Sequence, residues 1–160
     1  MTTPDKLESK FWKALKSDKT VMLSCDGALP RPMTAVAEDD HAPIWFFTAF
    51  DTDLGKVLKN GPRNGQLTLV SKGHDVWGSA SGQLVVDNDR EVIDRLWNPF
   101  VAAWYEGGKT DPNLCLVRMD AREAQVWENG SSLVAGIKML MGSDPKQDFE
   151  DKTATVSLTD

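Results

Sequence analysis

Apolar residues recur at helical spacing near the start of the chain and alternate with polar ones through most of its remaining length. Leu7, Phe11, Trp12 and Leu15 form one stripe of a helix over residues 5–16, with Pro4 near its start. Strands then succeed one another on short turns. Residues 20–25 make the first, ended by an Asp26-Gly27 turn. Residues 31–37 make the second, beginning at a proline-flanked position, and Asp39-Asp40 supplies a polar turn. Residues 44–49 are dense in aromatics and read as a buried third strand. Alternation sets Phe46 and Thr48 on one face of it and Trp45 and Phe47 on the other.

A short helix over 53–60 is closed by Asn60-Gly61-Pro62. Residues 66–71 and 76–86 read as two more strands, joined by a turn at Lys72-Gly73. Gly78 and Gly82 lie inside the second and predict a bend or bulge, as in barrel walls. A helix over 87–97 carries Val92, Ile93, Leu96 and Trp97 on its apolar face. Residues 114–120 and 123–127 are a closing pair of strands, 132–141 a late helix, and 153–158 a frayed strand.

This order lacks the helix after nearly every strand that a doubly wound α/β fold needs. It predicts a mainly β protein with peripheral helices, an antiparallel barrel closed or partly closed. We read 1–160 as one domain, with an N-terminal helix in 1–18 and a C-terminal helix and tail in 131–160.

Composition narrows the function. At 160 residues, 41% hydrophobic and 26% charged, the chain reads as an ordinary soluble globular protein. A net charge of −6 and the lack of a Lys/Arg-rich block argue against nucleic acid as a partner. No apolar run reaches membrane-spanning length, and the start lacks the apolar core of a signal peptide. Cys25 and Cys115 have no CxxC spacing and read as free thiols, so we expect a cytoplasmic protein. His41 and His74 sit in turns without the spacing of a metal pair, and we expect no metal. GxSxG, P-loop and HExxH patterns are missing. Asp26, Asp51 and Asp53 form no close carboxylate pair.

The connection running from Trp97-Asn-Pro-Phe through Trp104-Tyr-Glu-Gly-Gly-Lys109 to Asp111-Pro112 stands out. Tryptophans bury much apolar area at low side-chain entropy. Such a loop packs on something flat: a sheet, a partner subunit or an aromatic ligand. Its simplest reading is a rigid surface loop whose tryptophans plug the core.

Several stretches together resemble a known family. They are Arg31-Pro32-Met33-Thr34, Ile44-Trp-Phe-Phe-Thr48, the lysine of Leu54-Gly-Lys56-Val, and Gly82-Gln-Leu-Val-Val-Asp87. Leu96-Trp97, Trp104-Tyr-Glu-Gly-Gly-Lys109, Asp111-Pro112 and Ala124-Gln-Val-Trp127 come next, in that order. The set resembles the FMN-binding split-barrel proteins related to pyridoxamine 5′-phosphate oxidase, in the branch of general stress protein 26.

The resemblance implies a homodimer with FMN at the subunit interface. Arg31 then offers a planar fork to the phosphate. Lys56 offers a point charge near the start of a short helix, where backbone N–H groups also point outward. Pro32 to Thr34 and 46–49 resemble the strands that flank the flavin ring. Met33 can pack on the ring, and Thr34 and Thr48 can donate hydroxyls. Trp45, Phe46 and Phe47 read equally as core, with Phe47 kept among the cofactor-binding candidates. Trp97 and Trp104 are candidates to cover the ring of the other subunit, or else to pack the dimer interface.

One departure bears on activity. The oxidases carry an Arg-x-His stretch near the C-terminus that holds the pyridoxal substrate, and this chain has none. Pyridoxamine phosphate oxidation is therefore not expected. Three classes remain: a flavin-dependent oxidoreductase of unknown substrate, a flavin carrier or stress sensor without turnover, and a cofactor-free dimeric interaction module.

Overall fold

A computed structural model describes residues 3–128 and 153–159. The first helix, α1 (Pro4–Asp18), starts where Thr3 takes the Lys6 amide at 3.2 Å and Pro4 comes next. It ends at Lys19, whose φ of 63° turns the chain out of the helix. The strands are β1 (Thr20–Cys25), β2 (Ala28–Thr34), β3 (Ile44–Ala49), β4 (Arg63–Val70), β5 (Val76–Val86), β6 (Leu114–Glu128) and β7 (Thr153–Ser157). Helix α2 (Asp53–Lys59) joins β3 to β4, and α3 (Arg90–Leu96) and α4 (Pro99–Ala102) lie between β5 and β6.

These strands make a sheet in the order β2-β1-β4-β5-β6-β3, with β7 added on β6, and every pairing is antiparallel. The sheet curls until Val36, just past β2, pairs with Trp45 on β3 through two hydrogen bonds of 2.8 Å. Beyond that bridge β2 and β3 are not hydrogen-bonded neighbours. The barrel is closed at one point and open along the rest of that seam.

The inward face holds the main core. Leu23, Leu67, Leu69, Ala80, Leu84, Met119, Ala124 and Val126 are buried on it, joined by Leu7, Phe11, Trp12 and Leu15 of α1. Gly78 is the contact point: a Cβ there would lie 2.7 Å from the Phe11 ring. The expected bend at Gly78 is thus a packing site for a helix. Gly82 does mark a bulge. Ser81 pairs with Glu123 and Gly82 with Ala121, leaving Arg122 as the extra residue. A Cβ on Gly82 would lie 2.3 Å from the Asp120 carbonyl oxygen, so only glycine lets the strands approach there. The bulged Arg122 turns its carbonyl to the Leu158 amide at 2.9 Å.

Other expectations move at their edges. The second strand begins at Ala28 and ends at Thr34, because Ala28 pairs with Cys25 directly after the Asp26-Gly27 turn. The strand expected from 66 begins at Arg63. The two closing strands are one, β6, continuous through its bulge. The helix expected from 87 starts at Arg90, because Asp89 caps it by accepting from the Glu91 amide at 2.9 Å. The strand expected at the end of the chain is paired on β6 over Thr153–Ser157. The helix expected at 132–141 lies outside the described residues.

Candidate functional site

Helix α2 sits at the open seam, touching β2, β3 and β5. Local chemistry fixes it there. The Thr52 hydroxyl accepts from the Gly55 amide at 3.1 Å and donates to the Ala49 carbonyl at 2.7 Å. The Thr48 hydroxyl stands 3.2 Å from that of Thr52. Gly55 presses so closely on the end of β3 that a Cβ would lie 2.0 Å from the Ala49 oxygen. On its other side α2 rests on the β1–β2 turn. The Val57 methyls come within 3.4 Å of where a Cβ on Gly27 would be, and Gly27 needs its φ of 95° to make the turn.

Two cations flank this seam. Lys56 projects from α2 into solvent, and Arg31 is half-buried on β2, sharing a face with its partner Leu23. Among the described residues neither makes an ion pair or a side-chain hydrogen bond. Lys10, Lys16, Arg95, Lys109 and Arg118, in contrast, each meet a carboxylate. In an acidic chain, unpaired cations beside an opening are well placed for an anionic ligand.

Alternation divides the remaining predicted residues. Met33 shares the inward side with Arg31 and is buried beside Val21 in the core. Pro32 and Thr34 face outward, opposite Met22 and Thr20. Thr48 lies inward with Phe46, and Phe47 outward with Trp45, as the pattern predicts. Phe47 is half-buried in a second apolar cluster on the outside of β3 and β6, where α3 covers Trp45, Leu114 and Leu116. Trp97 ends α3 in extended conformation and joins that cluster edge-on to Phe47, ring centroids 6.3 Å apart. It therefore lies beyond the helical face on which it was expected. Trp104 does not plug the core: it is 84% exposed, and Phe100 on α4 is 85% exposed. The structure thus brings Arg31, Thr48 and Lys56 to the seam and Phe47 with Trp97 to the outer cluster. It leaves Trp104 uncovered in the single chain.

Three residues without an assigned role organise this region. Tyr105 is buried against Phe47 and Trp97, and its hydroxyl donates to the Thr48 carbonyl at 2.6 Å. Asn88 clips the chain before α3 to β6, donating to the Leu114 carbonyl at 2.9 Å and accepting from the Leu116 amide at 2.7 Å. Thr52 caps α2. The Thr-x-x-Gly spacing before an apolar turn was a readable cap signal for Thr52. The Trp-Tyr pair flagged Tyr105 without saying which main-chain group it would meet.

The pKa shifts that stand out trace to structural contacts rather than to a proton-transfer pair. Burial raises the Tyr105 phenol and pushes the Cys115 thiol up to about 12. Burial, then the nearby Asp26 charge, raises Cys25. The bidentate Arg95 fork, at 2.6 and 2.9 Å, lowers Glu38. Amide donors of Gly107 and Asn113 hold Asp111 below its ordinary value. Among the described residues no group of three or more His, Cys, Asp or Glu side chains is placed to hold a metal, and no helix is long and apolar enough to cross a membrane.

An antiparallel sheet in this order, curled to a single closing bridge and open beside a short capped helix, is a split β-barrel. The chain belongs to the pyridoxamine 5′-phosphate oxidase-like family, whose pattern matches residues 6–150. Among relatives, it is 21% identical over 106 residues to general stress protein 26 of Bacillus subtilis (strain 168), covering 62% of this chain and 72% of that one. Among solved structures, a general stress family protein of Xanthomonas campestris pv. campestris is 56% identical. The match covers 82% of this chain and 93% of that one, with a TM-score of 0.75. The general stress FMN/FAD binding protein of Xanthomonas citri is also 56% identical, over 80% and 92% of the two chains, with a TM-score of 0.74.

Proposed function

We propose that this chain binds FMN at an interface between two copies and serves as a flavin-dependent oxidoreductase of the general stress protein type. The observation that carries this reading is the pair Arg31 and Lys56, cations without a carboxylate partner among the described residues, on two elements that meet at the open seam. They fit a dianionic phosphate. The Phe47 and Trp97 rings fit one wall of a flat amphipathic ring system. The family, and the Xanthomonas citri relative named for FMN/FAD binding, point the same way.

When bound, the flavin supplies the electron transfer. The chain's own residues bind, orient and exclude water. Arg31 and Lys56 hold the phosphate, and the Thr48–Thr52 hydroxyl pair keeps α2, and so Lys56, at the end of β3. Tyr105 keeps the outer cluster against that strand. Pro32, Met33 and Thr34 continue the strand that carries Arg31, and Trp104 meets the second copy. The free thiols of Cys25 and Cys115 suit the cytoplasm.

The residues at the seam include no acid–base pair, which favours a second reading, a flavin carrier without turnover. Fluorescence titration tests binding. Replacing Arg31 and Lys56 with Ala should weaken FMN at least tenfold while riboflavin, which lacks the phosphate, changes little. Equal loss for both ligands would show that the phosphate lies elsewhere. Anaerobic reduction by NADH or NADPH then separates an enzyme from a carrier.

A further inference from the structure

The outward side of the sheet is nearly free of charge. One row of mutual register partners crosses six strands: Pro32, Met22, Thr68, Ser79, Gln125 and Thr155. Beside it runs Val70, Trp77, Trp127 and Thr153. On its other side run Ser24, Gln66, Ser81, Glu123 and Ser157. Of these residues only Glu123 is charged, in a chain that is 26% charged. Large apolar side chains stand in the open among them: Trp77 is 44% exposed, Val70 41% and Met22 40%.

An exposed sheet face in a monomer is ordinarily polar and charged. Depletion of charge with exposed Trp and Met is the composition of an interface centre. The occupant is set by electrostatics. At a net charge of −6, two copies repel wherever their acidic surfaces meet. A two-fold contact also sets each patch against itself, so any charge on it would face its like. This face removes that penalty, and its Ser, Thr and Gln side chains can donate and accept in either direction. A charged partner would find nothing here to pair with.

We propose that two copies of this chain meet through the outward face of β2, β1, β4, β5, β6 and β7, with Trp77 and Trp127 as its anchors. This rests on the dimeric reading of the flavin site and names the surface that makes the dimer. The test places one charge at the centre of the face in the full chain, as Thr68→Asp and separately as Ser79→Lys. Both sites are at the surface, and far-UV circular dichroism confirms the fold, with either variant sufficient should the other fail to fold. Analytical ultracentrifugation should find a wild-type dimer and at least a hundredfold weaker self-association in each variant. A monomeric wild type, or folded variants that dimerise as tightly as wild type, would overturn the proposal. A lowered Tm with unchanged self-association would do so too, and would assign the face to residues 129–152 of the same chain. FMN titration of the same samples keeps the two readings apart. A wild-type dimer that binds no FMN defeats the cofactor reading alone.

Discussion

The Tyr105 hydroxyl and the Thr48 carbonyl are joined at 2.6 Å, which ties the excursion between β5 and β6 to the strand at the barrel's seam. Thr48 in turn touches Thr52, the cap of α2. A chain of three hydrogen-bonding groups therefore runs from the outer aromatic cluster to the helix that carries Lys56.

Tyr105→Phe deletes the donor and leaves a buried carbonyl unpaired while keeping the ring. We expect a loss of about 1–3 kcal/mol, read as a Tm lower by several degrees in a thermal melt. FMN affinity should weaken along with it. A Tm within one degree of wild type would mean that the carbonyl finds another donor.

Gly55→Ala puts a methyl group where the Ala49 oxygen already stands. Neither the β3 backbone nor the helix end can move without breaking the Thr52 cap, so α2 should lift from the seam. The expected cost is about 1–3 kcal/mol or more, with FMN binding weakened further than riboflavin binding because Lys56 moves. Denaturant melts and flavin titration check the two effects separately. Gly61→Ala is the control: its φ of 133° is strained for alanine, but no atom lies within 4 Å, so it should cost stability and spare that preference.

Asp111 accepts from the Gly107 amide at 2.9 Å and the Asn113 amide at 2.8 Å, and its pKa falls below the ordinary 3.8. A carboxylate depressed in the folded state stabilises it above the unfolded pKa and loses that contribution as pH falls through the folded value. Asp111→Asn should therefore lower the Tm at pH 6 and make progressively less difference toward pH 3. A gap between wild type and variant that stays constant across that range would contradict the assignment.

Periodicity and punctuation were legible in the sequence. The buried stripe of α1, the two faces of β3 and the span of β5 can be read from spacing alone, because burial enforces those periods. The bulge at Gly82 was legible because glycine inside a strand has few other uses. Gly78 carried the same signal and meant something else, since its partner Phe11 is far away in sequence. Helix starts were misplaced where Asp89 competed with the apolar pattern. Arg31 and Lys56 stood out only through family resemblance. Their lack of carboxylate partners among the described residues depends on the folded neighbourhood. Trp97 and Trp104 looked alike on paper, and tertiary packing alone divides them into a member of the outer cluster and a solvent-facing ring.

The contact between Phe11 and Gly78 has a consequence for biosynthesis. The helix that carries Phe11 leaves the ribosome first, yet its resting place is made by β5, β6 and β7, which emerge last. Until then its apolar stripe has nothing to cover it, and the nascent chain must wait, or be chaperoned, through most of its translation.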